Sequence, residues 1–227
     1  MPDRIESYKP LLFEKDVRRI IPWWEPNVIF DVGANIGQTA FELSHAFPKA
    51  KIHSFEPVPK TYDELSKRTA ELPGISVHQY ALGDQSGTVS MLANGTSKRN
   101  KVLPDTSDCR HSAEVYAYTG FEIMKILSIE KLSFLKIDAE GYDMKVLLGF
   151  RKCLKDVDFV QVEAAMNDYN TTHIQFRVFD EFFRKNDFLL FKIYDQVFEF
   201  ANGRQPALRR ANPVFIRKDL CNLEGVS

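Results

Sequence analysis

The chain has 227 residues, 30 Lys and Arg against 31 Asp and Glu, and a formal net charge of −1. Hydrophobic residues make up 44% and charged residues 27%, which is typical of a globular protein with a sizeable core. The near-neutral charge argues against a protein that coats nucleic acid, and no apolar run approaches the roughly 18 residues of a membrane span. The start of the chain lacks the pattern of a secretory signal, and its three scattered cysteines are typical of reduced thiols. We therefore expect a cytoplasmic protein with no nucleic-acid partner and no membrane span.

Residues 1–26 form an N-terminal segment that we predict to be helical, ahead of one larger domain over residues 27–227. The apolar face of this segment comprises Leu11, Leu12, Val17, Ile20 and Ile21. Two prolines that bracket a pair of tryptophans then end the helical pattern.

Strands and helices alternate after residue 27. The predicted strands are 28–32, 51–56, 75–82, 133–138 and 158–164, and the predicted helices are 37–47, 59–72, 141–149 and 173–185. This alternation indicates βαβ units in a parallel sheet with helices on both faces. The last two apolar segments, 188–200 and 213–218, have no helix between them and are predicted to pair antiparallel.

The stretch 94–127 interrupts this alternation and is predicted to be an insertion. A strand at 87–92 precedes it, and 114–127 combines a further strand with a short helix. We expect the polar part, 94–113, and the loop 201–212 to form a lid over the acceptor beyond Asp138 and Glu163; both segments are basic.

The motif VIFDVGANIGQTA places a tight turn after a buried strand. Gly33, Asn35 and Gly37 follow the strand end at Asp31 and lead into a helix. Small residues let a ligand approach the backbone, and free N–H groups at a helix start favour an anionic group. Asn35 occupies the position of the second glycine in dinucleotide-binding turns, which disfavours a nicotinamide cofactor.

A carboxylate follows the next predicted strand. Glu56 ends that strand nineteen residues after Gly37 and precedes Pro57. A carboxylate at this position can accept hydrogen bonds from both hydroxyls of a ribose, although a solvated charge at a strand end is the simpler interpretation. Together with the glycine turn, Glu56 favours a cofactor that contains a nucleoside.

Five segments resemble the FkbM-type S-adenosylmethionine-dependent methyltransferases: DVGANIGQ, FEPVPKTYDEL, ALGDQSG, FLKIDAEGYDMKVLLGF and VQVEA. The resemblance runs in the family's order from about residue 28 to residue 165, and Leu-Lys-Ile-Asp-x-Glu-Gly is its most specific element. It implies the α/β class I methyltransferase fold, a Rossmann-like, mostly parallel sheet of seven strands that ends in an antiparallel hairpin. It also implies S-adenosyl-L-methionine as the cofactor.

The resemblance implies three groups of cofactor-binding residues. The methionine part of the cofactor would contact Asp31, Gly33, Asn35 and Gly37. The ribose would contact Glu56 and Pro57, and the adenine would contact Ala81, Leu82, Gly83 and Asp84. Asp138 would lie near the methyl group.

Asp138, Glu163 and Lys136 are the candidate catalytic residues, because they lie at the ends of two neighbouring strands of the predicted sheet. Either carboxylate could act as a general base toward an acceptor hydroxyl. The pair could also hold a divalent cation, which we do not favour. Helix capping is the alternative role for Asp138 and Glu140. Lys136 lies inside an apolar strand and needs a partner, for which Asp138, Glu140 and Glu163 are the candidates.

These residues favour an O-methyltransferase that acts on a hydroxyl of a small molecule, a sugar or a glycan intermediate. An N-methyltransferase and a non-catalytic cofactor-binding module remain alternatives. His111 and His173 could each reach an acceptor pocket, although solvent exposure is the default expectation for both. A negatively charged acceptor is a further hypothesis, which rests on the basic residues of the two lid segments: Lys98, Arg99, Lys101, Arg204, Arg209 and Arg210.

Overall fold

The structure is a computed structural model that describes residues 11–92, 112–198 and 207–223. Its helices are α1 (Leu12–Ile20), α2 (Gln38–Ala46), α3 (Pro59–Thr69), α4 (Gly120–Ile126), α5 (Asp143–Phe150) and α6 (Phe176–Lys185). Its strands are β1 (Val28–Val32), β2 (Lys51–Phe55), β3 (Ile75–His78), β4 (Ala81–Gly83), β5 (Gly87–Leu92), β6 (Ser112–Thr119), β7 (Leu132–Ile137), β8 (Val157–Val162), β9 (Ala164–Ala165), β10 (Phe188–Val197) and β11 (Arg210–Arg217). No helix in these ranges has both the length and the hydrophobicity needed to cross a bilayer.

The main sheet has the strand order β10-β11-β8-β7-β1-β2-β3, and the short β9 pairs with β11. The strands from β3 through β2, β1 and β7 to β8 run parallel, whereas β11 is antiparallel to both β8 and β10. The predicted mostly parallel sheet of seven strands with a final antiparallel hairpin is therefore confirmed. This order places the carboxyl ends of β1, β2, β7 and β8 side by side, where open α/β sheets bind their ligands.

Successive residues of the central strands face two hydrophobic clusters, one on each face of the sheet. On β7, Phe134 packs with Phe13 of α1 and Leu43 of α2. The next residue, Leu135, belongs to the cluster on the opposite face, together with Val146 of α5. The predicted helical layers on both faces are thus present.

Helix α1 buries only part of the face that was predicted. Leu12 and Ile20 are 60% and 51% exposed, so the predicted apolar face was wrong at these two positions. Val17 and Ile21 are buried as predicted, and Phe13, four residues before Val17, is buried with them. Asp16 is buried beside them because the Tyr194 hydroxyl donates a hydrogen bond to its carboxylate. Helix α1 therefore shares the core of the main sheet, and its separation from the domain at residues 27–227 stays a prediction.

The predicted strand 75–82 consists of two strands in two different sheets. β3 pairs with β2 at the edge of the main sheet, whereas β4 pairs with β6 in a three-stranded sheet of order β4-β6-β5. The prediction of one continuous strand was wrong for a packing reason. A Cβ atom on Gly149 of α5 would overlap the carbonyl oxygen of Gly83, so the backbone of β4 lies directly on α5.

Residues 112–127, the described part of the predicted insertion, form β6 and α4. Ile123 and Met124 of α4 are buried in the same cluster as the residues of α5, so this part belongs to the core. The rest of the two predicted lid segments lies mostly outside the described residues, which omit 93–111 and 199–206. The lid stays a prediction.

Candidate active site

A cavity of about 760 Å³ opens at the carboxyl ends of the parallel strands. Its volume lies within the roughly 300–1,000 Å³ typical of small-molecule sites. It extends from Tyr80, after β3, past Glu56 after β2 and Asp138 after β7, to Glu163 after β8 and Arg210 at the start of β11. The cavity therefore follows the edge of the sheet across six neighbouring strands, from β3 to β11.

Most of the predicted site residues meet in this cavity. It is lined by Gly33, Asn35, Glu56, Pro57, Ala81, Leu82, Lys136, Asp138 and Glu163. Four predicted cofactor-binding residues do not line it, namely Asp31, Gly37, Gly83 and Asp84.

The turn between β1 and α2 presents its backbone to the cavity. Gly33 and Asn35 have positive φ angles of 77° and 50°. A Cβ atom on Gly33 would overlap the carbonyl oxygen of Asp138. Glycine at this position therefore allows the turn to pack against the end of β7, which brings the predicted methionine-binding turn next to Asp138.

Gly37, Gly83 and Asp84 have packing and pairing roles away from the cavity. A Cβ atom on Gly37 would lie 2.9 Å from Leu65 Cδ1, so this left-handed N-cap of α2 permits close contact with α3. Gly83 lies against α5, and Asp84 forms an ion pair with Lys145 at 2.7 Å. Their contacts with the cofactor, which the resemblance implied, stay a prediction.

Glu56 faces the cavity with both carboxylate oxygens fixed by the backbone. Oε1 accepts a hydrogen bond from Val58 N and Oε2 accepts one from Asn35 N, each at 3.0 Å. Burial raises the pKa of Glu56 to about 7, although these two hydrogen bonds oppose the effect. Each oxygen keeps acceptor capacity for a ligand, which suits the paired hydroxyls of a ribose.

Lys136 forms a buried ion pair with Asp31, which occupies the paired position on the neighbouring strand β1. Lys136 Nζ lies 3.1 Å from Asp31 Oδ1 and 3.6 Å from Asp138 Oδ2. Asp31 is thus a partner that the sequence did not reveal; it is fully buried and does not line the cavity, and its contact with a cofactor stays a prediction. Burial opposes the charge of the lysine, yet both carboxylates raise the pKa of Lys136. Its ammonium group therefore stays protonated and is unsuited to act as a general base.

The end of the cavity nearest β3 and β4 has apolar and aromatic walls. Tyr80, Leu82 and Met91 line this end. Such side chains suit a flat purine ring. Tyr80 and Met91 were missed from the sequence, because Tyr80 lies where the predicted strand breaks and Met91 comes from β5 in the second sheet.

Glu163 is held between two basic side chains. It pairs through Oε1 with Arg210 Nη1, and its Oε2 lies 2.7 Å from His173 Nε2. Asn170 extends this chain of contacts, with Oδ1 3.1 Å from His173 Nδ1. Because both oxygens of Glu163 are engaged, the better candidate for a general base is Asp138, whose side chain is 40% exposed.

The segment between β9 and α6 folds back onto the start of β11 and brings His173 to the cavity. Asn167 Nδ2 donates to the Leu208 carbonyl oxygen at 2.6 Å, and Asn170 Nδ2 donates to the Arg209 carbonyl oxygen at 3.3 Å. These bonds join residues 41 and 39 positions apart, so no local pattern in the sequence predicts them. The default expectation of a solvent-exposed His173 was wrong for this reason.

The described residues contain no group of three or more His, Cys, Asp or Glu side chains that could hold a metal ion. Asp138 and Glu163 were the carboxylates considered for such a site. In the structure Glu163 contacts Arg210 and His173, whereas Asp138 lies beside Lys136. Each carboxylate therefore has cationic or imidazole neighbours on the protein itself.

The family model of the methyltransferase FkbM domain matches residues 31–190. The hexuronic acid methyltransferase AglP of Haloferax volcanii is 32% identical over 169 residues, which cover 71% of this chain and 66% of AglP. The methyltransferase sdnD of Sordaria araneosa is 28% identical over 153 residues, which cover 53% of this chain and 59% of sdnD. The chain thus spans just under two thirds of one relative and about three fifths of the other.

A solved structure with a similar fold is that of M. capricolum TrmK in complex with the cofactor product S-adenosyl-homocysteine. Its TM-score is 0.52 at 12% identity, and the match covers 92% of this chain and 69% of the TrmK chain. At this identity the likeness concerns the fold alone, and it confirms the architecture expected from the sequence.

Proposed function

The chain belongs to the FkbM methyltransferase family, and from this premise we propose that it transfers the methyl group of S-adenosylmethionine to an oxygen of a sugar-type acceptor. One observation carries the proposal. A single cavity joins Glu56 and the glycine turn to Asp138 and continues to Arg209 and Arg210. It offers space for a cofactor on one side of Asp138 and for an acceptor on the other.

The residues at the first end fit the cofactor. Glu56 presents a carboxylate suited to the ribose hydroxyls, and the turn at Gly33 and Asn35 presents backbone to the methionine part. Tyr80 and Met91 offer apolar surface to the adenine. When bound, S-adenosylmethionine supplies a methyl group on a good leaving group, so the protein has to align the acceptor, exclude water and remove a proton.

Asp138 is the residue that we assign as general base. Its side chain is partly exposed, and the carboxylate lies 3.6 Å from Lys136 Nζ. A carboxylate at this point can accept the proton of an acceptor hydroxyl as the oxygen attacks the methyl carbon. Lys136 acts as a positioning residue, because its ion pair with Asp31 fixes the ammonium group beside Asp138.

A sugar-type acceptor is supported by the relative from Haloferax volcanii, whose name gives hexuronic acid as its substrate. A net charge of −1 provides no excess of cations for a phosphate backbone, so we infer a small molecule or glycan rather than a nucleic acid.

Calorimetry and a transfer assay test the proposed function. We expect S-adenosylmethionine and S-adenosylhomocysteine to bind, NAD not to bind, and Glu56→Ala to lose most of the binding. Incubation with a panel of neutral and acidic sugars should yield a product that has gained one methyl group, detected by mass spectrometry. Binding of NAD alone, or binding of the cofactor without transfer to any sugar, would contradict the proposal.

A further inference from the structure

The contacts of His173 suit a ring that carries a hydrogen on each nitrogen. Asn170 Oδ1 accepts the backbone N–H groups of Thr172 and His173 at 3.1 and 3.2 Å, and Asn170 Nδ2 donates to Arg209 O. The amide orientation is fixed by these three bonds, so His173 Nδ1, 3.1 Å from Oδ1, has to carry a hydrogen. His173 Nε2 lies 2.7 Å from Glu163 Oε2, and this contact needs a second hydrogen. The imidazolium form satisfies both contacts.

Three basic side chains meet the carboxylates of Glu140 and Glu163 at this end of the cavity. His173, Arg209 and Arg210 all line it around Glu163. Arg210 directs Nη1 to Glu163, and a guanidinium group carries five N–H donors in total. The backbone of Arg209 is fixed by the bond from Asn170. The guanidinium group of Arg210 is thus held in place by Glu163 and keeps further N–H donors for a ligand in the cavity.

We propose that Arg209 and Arg210, positioned by the chain of contacts from Asn170 through His173 to Glu163, bind a carboxylate group of the acceptor. This inference rests on the proposed function, because it assigns one group of the acceptor within the same cavity. Guanidinium groups match the planar geometry of a carboxylate and form strong, charge-assisted hydrogen bonds with it. The methylated oxygen then lies toward Asp138 and the carboxylate lies toward β11.

The proposal makes acceptor binding depend on pH. Loss of the second proton from His173 opens one of its two contacts and removes a cation beside Glu163, so affinity for an anionic acceptor falls as the pH rises. Burial lowers the pKa of His173, while nearby carboxylates oppose this effect. The charged groups that face the ring come from the end of β7, the start of α5, the end of β8 and the start of β11: Asp138, Glu140, Asp143, Glu163, Arg209 and Arg210.

Calorimetry with glucuronate as the probe tests this inference, and glucose serves as the neutral probe of similar shape. The full chain is titrated with each sugar in the presence and in the absence of S-adenosylhomocysteine. Arg210→Gln should raise the dissociation constant for glucuronate by about tenfold or more, because a charge-assisted contact is lost, and should leave glucose binding unchanged. Arg151→Gln is the matched control, since Arg151 is exposed at the end of α5. It should change neither dissociation constant.

Measuring the affinity for glucuronate over a range of pH tests whether His173 is a positioning residue. Wild-type affinity for glucuronate should fall as the pH rises, and His173→Gln should bind more weakly at low pH and show no such fall. Equal binding of glucose and glucuronate by the wild type, or unchanged glucuronate binding by Arg209→Gln and Arg210→Gln, would overturn the inference. Failure of the proposed function is distinct from these outcomes, because it is measured as missing cofactor binding or missing methyl transfer.

Discussion

Lys136 and Asp31 form an ion pair across two neighbouring parallel strands, with Nζ 3.1 Å from Oδ1 and both side chains buried. The pair stands at the centre of the main sheet, where Asp31 lies two residues before Gly33 and Lys136 lies two residues before Asp138. It therefore links the stability of the sheet to the position of the proposed base.

Removing the lysine should be strongly destabilising. We expect Lys136→Met to lower the free energy of unfolding by about 3–5 kcal/mol, because the Asp31 carboxylate is left buried without its partner. Urea unfolding followed by circular dichroism measures the loss. The double variant Asp31→Leu/Lys136→Met should recover much of this loss, and a double variant as unstable as the sum of both single variants would contradict the interpretation.

Asp138→Asn tests the assignment of the general base. An amide cannot take up the acceptor proton, so kcat should fall by about 10²–10⁴-fold with an acceptor that the wild type methylates. The affinity for S-adenosylhomocysteine, measured by calorimetry, should stay close to that of the wild type. Glu163→Gln is the comparison, and we expect it to act mainly on KM for the acceptor. A larger loss of kcat in Glu163→Gln than in Asp138→Asn would reverse the two roles.

Glu56 should make cofactor binding depend on pH. Its pKa is raised to about 7 by burial, and hydroxyl donors of a ribose favour the ionised form. Affinity for S-adenosylhomocysteine should therefore fall as the pH drops below about 7, by at most about tenfold per pH unit. Glu56→Gln should bind more weakly at neutral pH and show no such dependence. If the wild-type affinity for S-adenosylhomocysteine stayed constant over about three pH units, from about pH 5 to about pH 8, this role would be contradicted.

The same group should affect the stability of the protein without its cofactor. The pKa of Glu56 is raised from 4.5 to about 7, so the folded state binds more protons than the unfolded state between these values. Stability from this group should therefore decrease as the pH rises through that window, and Glu56→Gln should remove the decrease. Thermal unfolding of the wild type and of Glu56→Gln, from acidic to neutral pH, measures the decrease and its removal.

Gly33→Ala should disrupt the contact between the β1–α2 turn and the end of β7. The added Cβ atom would overlap the Asp138 carbonyl oxygen, and the φ angle of 77° is strained for alanine. Gly87→Ala is a control, because Gly87 also has a positive φ angle but a Cβ atom there meets nothing within 4 Å. We expect backbone strain of about 1–3 kcal/mol in Gly87→Ala and a larger loss in Gly33→Ala, measured by chemical unfolding. Equal losses of stability in the two variants would show that the structure can relieve the overlap between the added Cβ atom and the Asp138 carbonyl oxygen.

The fold followed from the sequence where each element depends on its own residues. Strands β1, β2, β7 and β8 are short apolar runs next to turn residues, and the final hairpin has no helical pattern between its strands. The strand at 75–82 was mispredicted because its division depends on the packing of Gly83 against Gly149, which is distant in the sequence. The apolar face of α1 was mispredicted because Tyr194 makes Asp16 a buried residue.

The site residues, too, were predicted only where the local sequence reveals them. Glu56 and Asp138 were predicted because a carboxylate at a strand end is visible in the local sequence. Asp138 was among the partners predicted for Lys136, whereas Asp31 was missed because it is 105 residues away and becomes a neighbour only through the strand order. The network around His173 was missed because it depends on amide side chains that tie one loop to the start of β11.

The two ends of the cavity come from different parts of the chain. Met91 reaches the first end from β5, whereas Arg209 and Arg210 reach the second from the start of β11. Under the proposed function, exchanging residues at the start of β11 should change the acceptor and leave cofactor binding intact. A library that varies positions 207–210 and keeps Glu56 unchanged is therefore a suitable start for selecting activity on new acceptors.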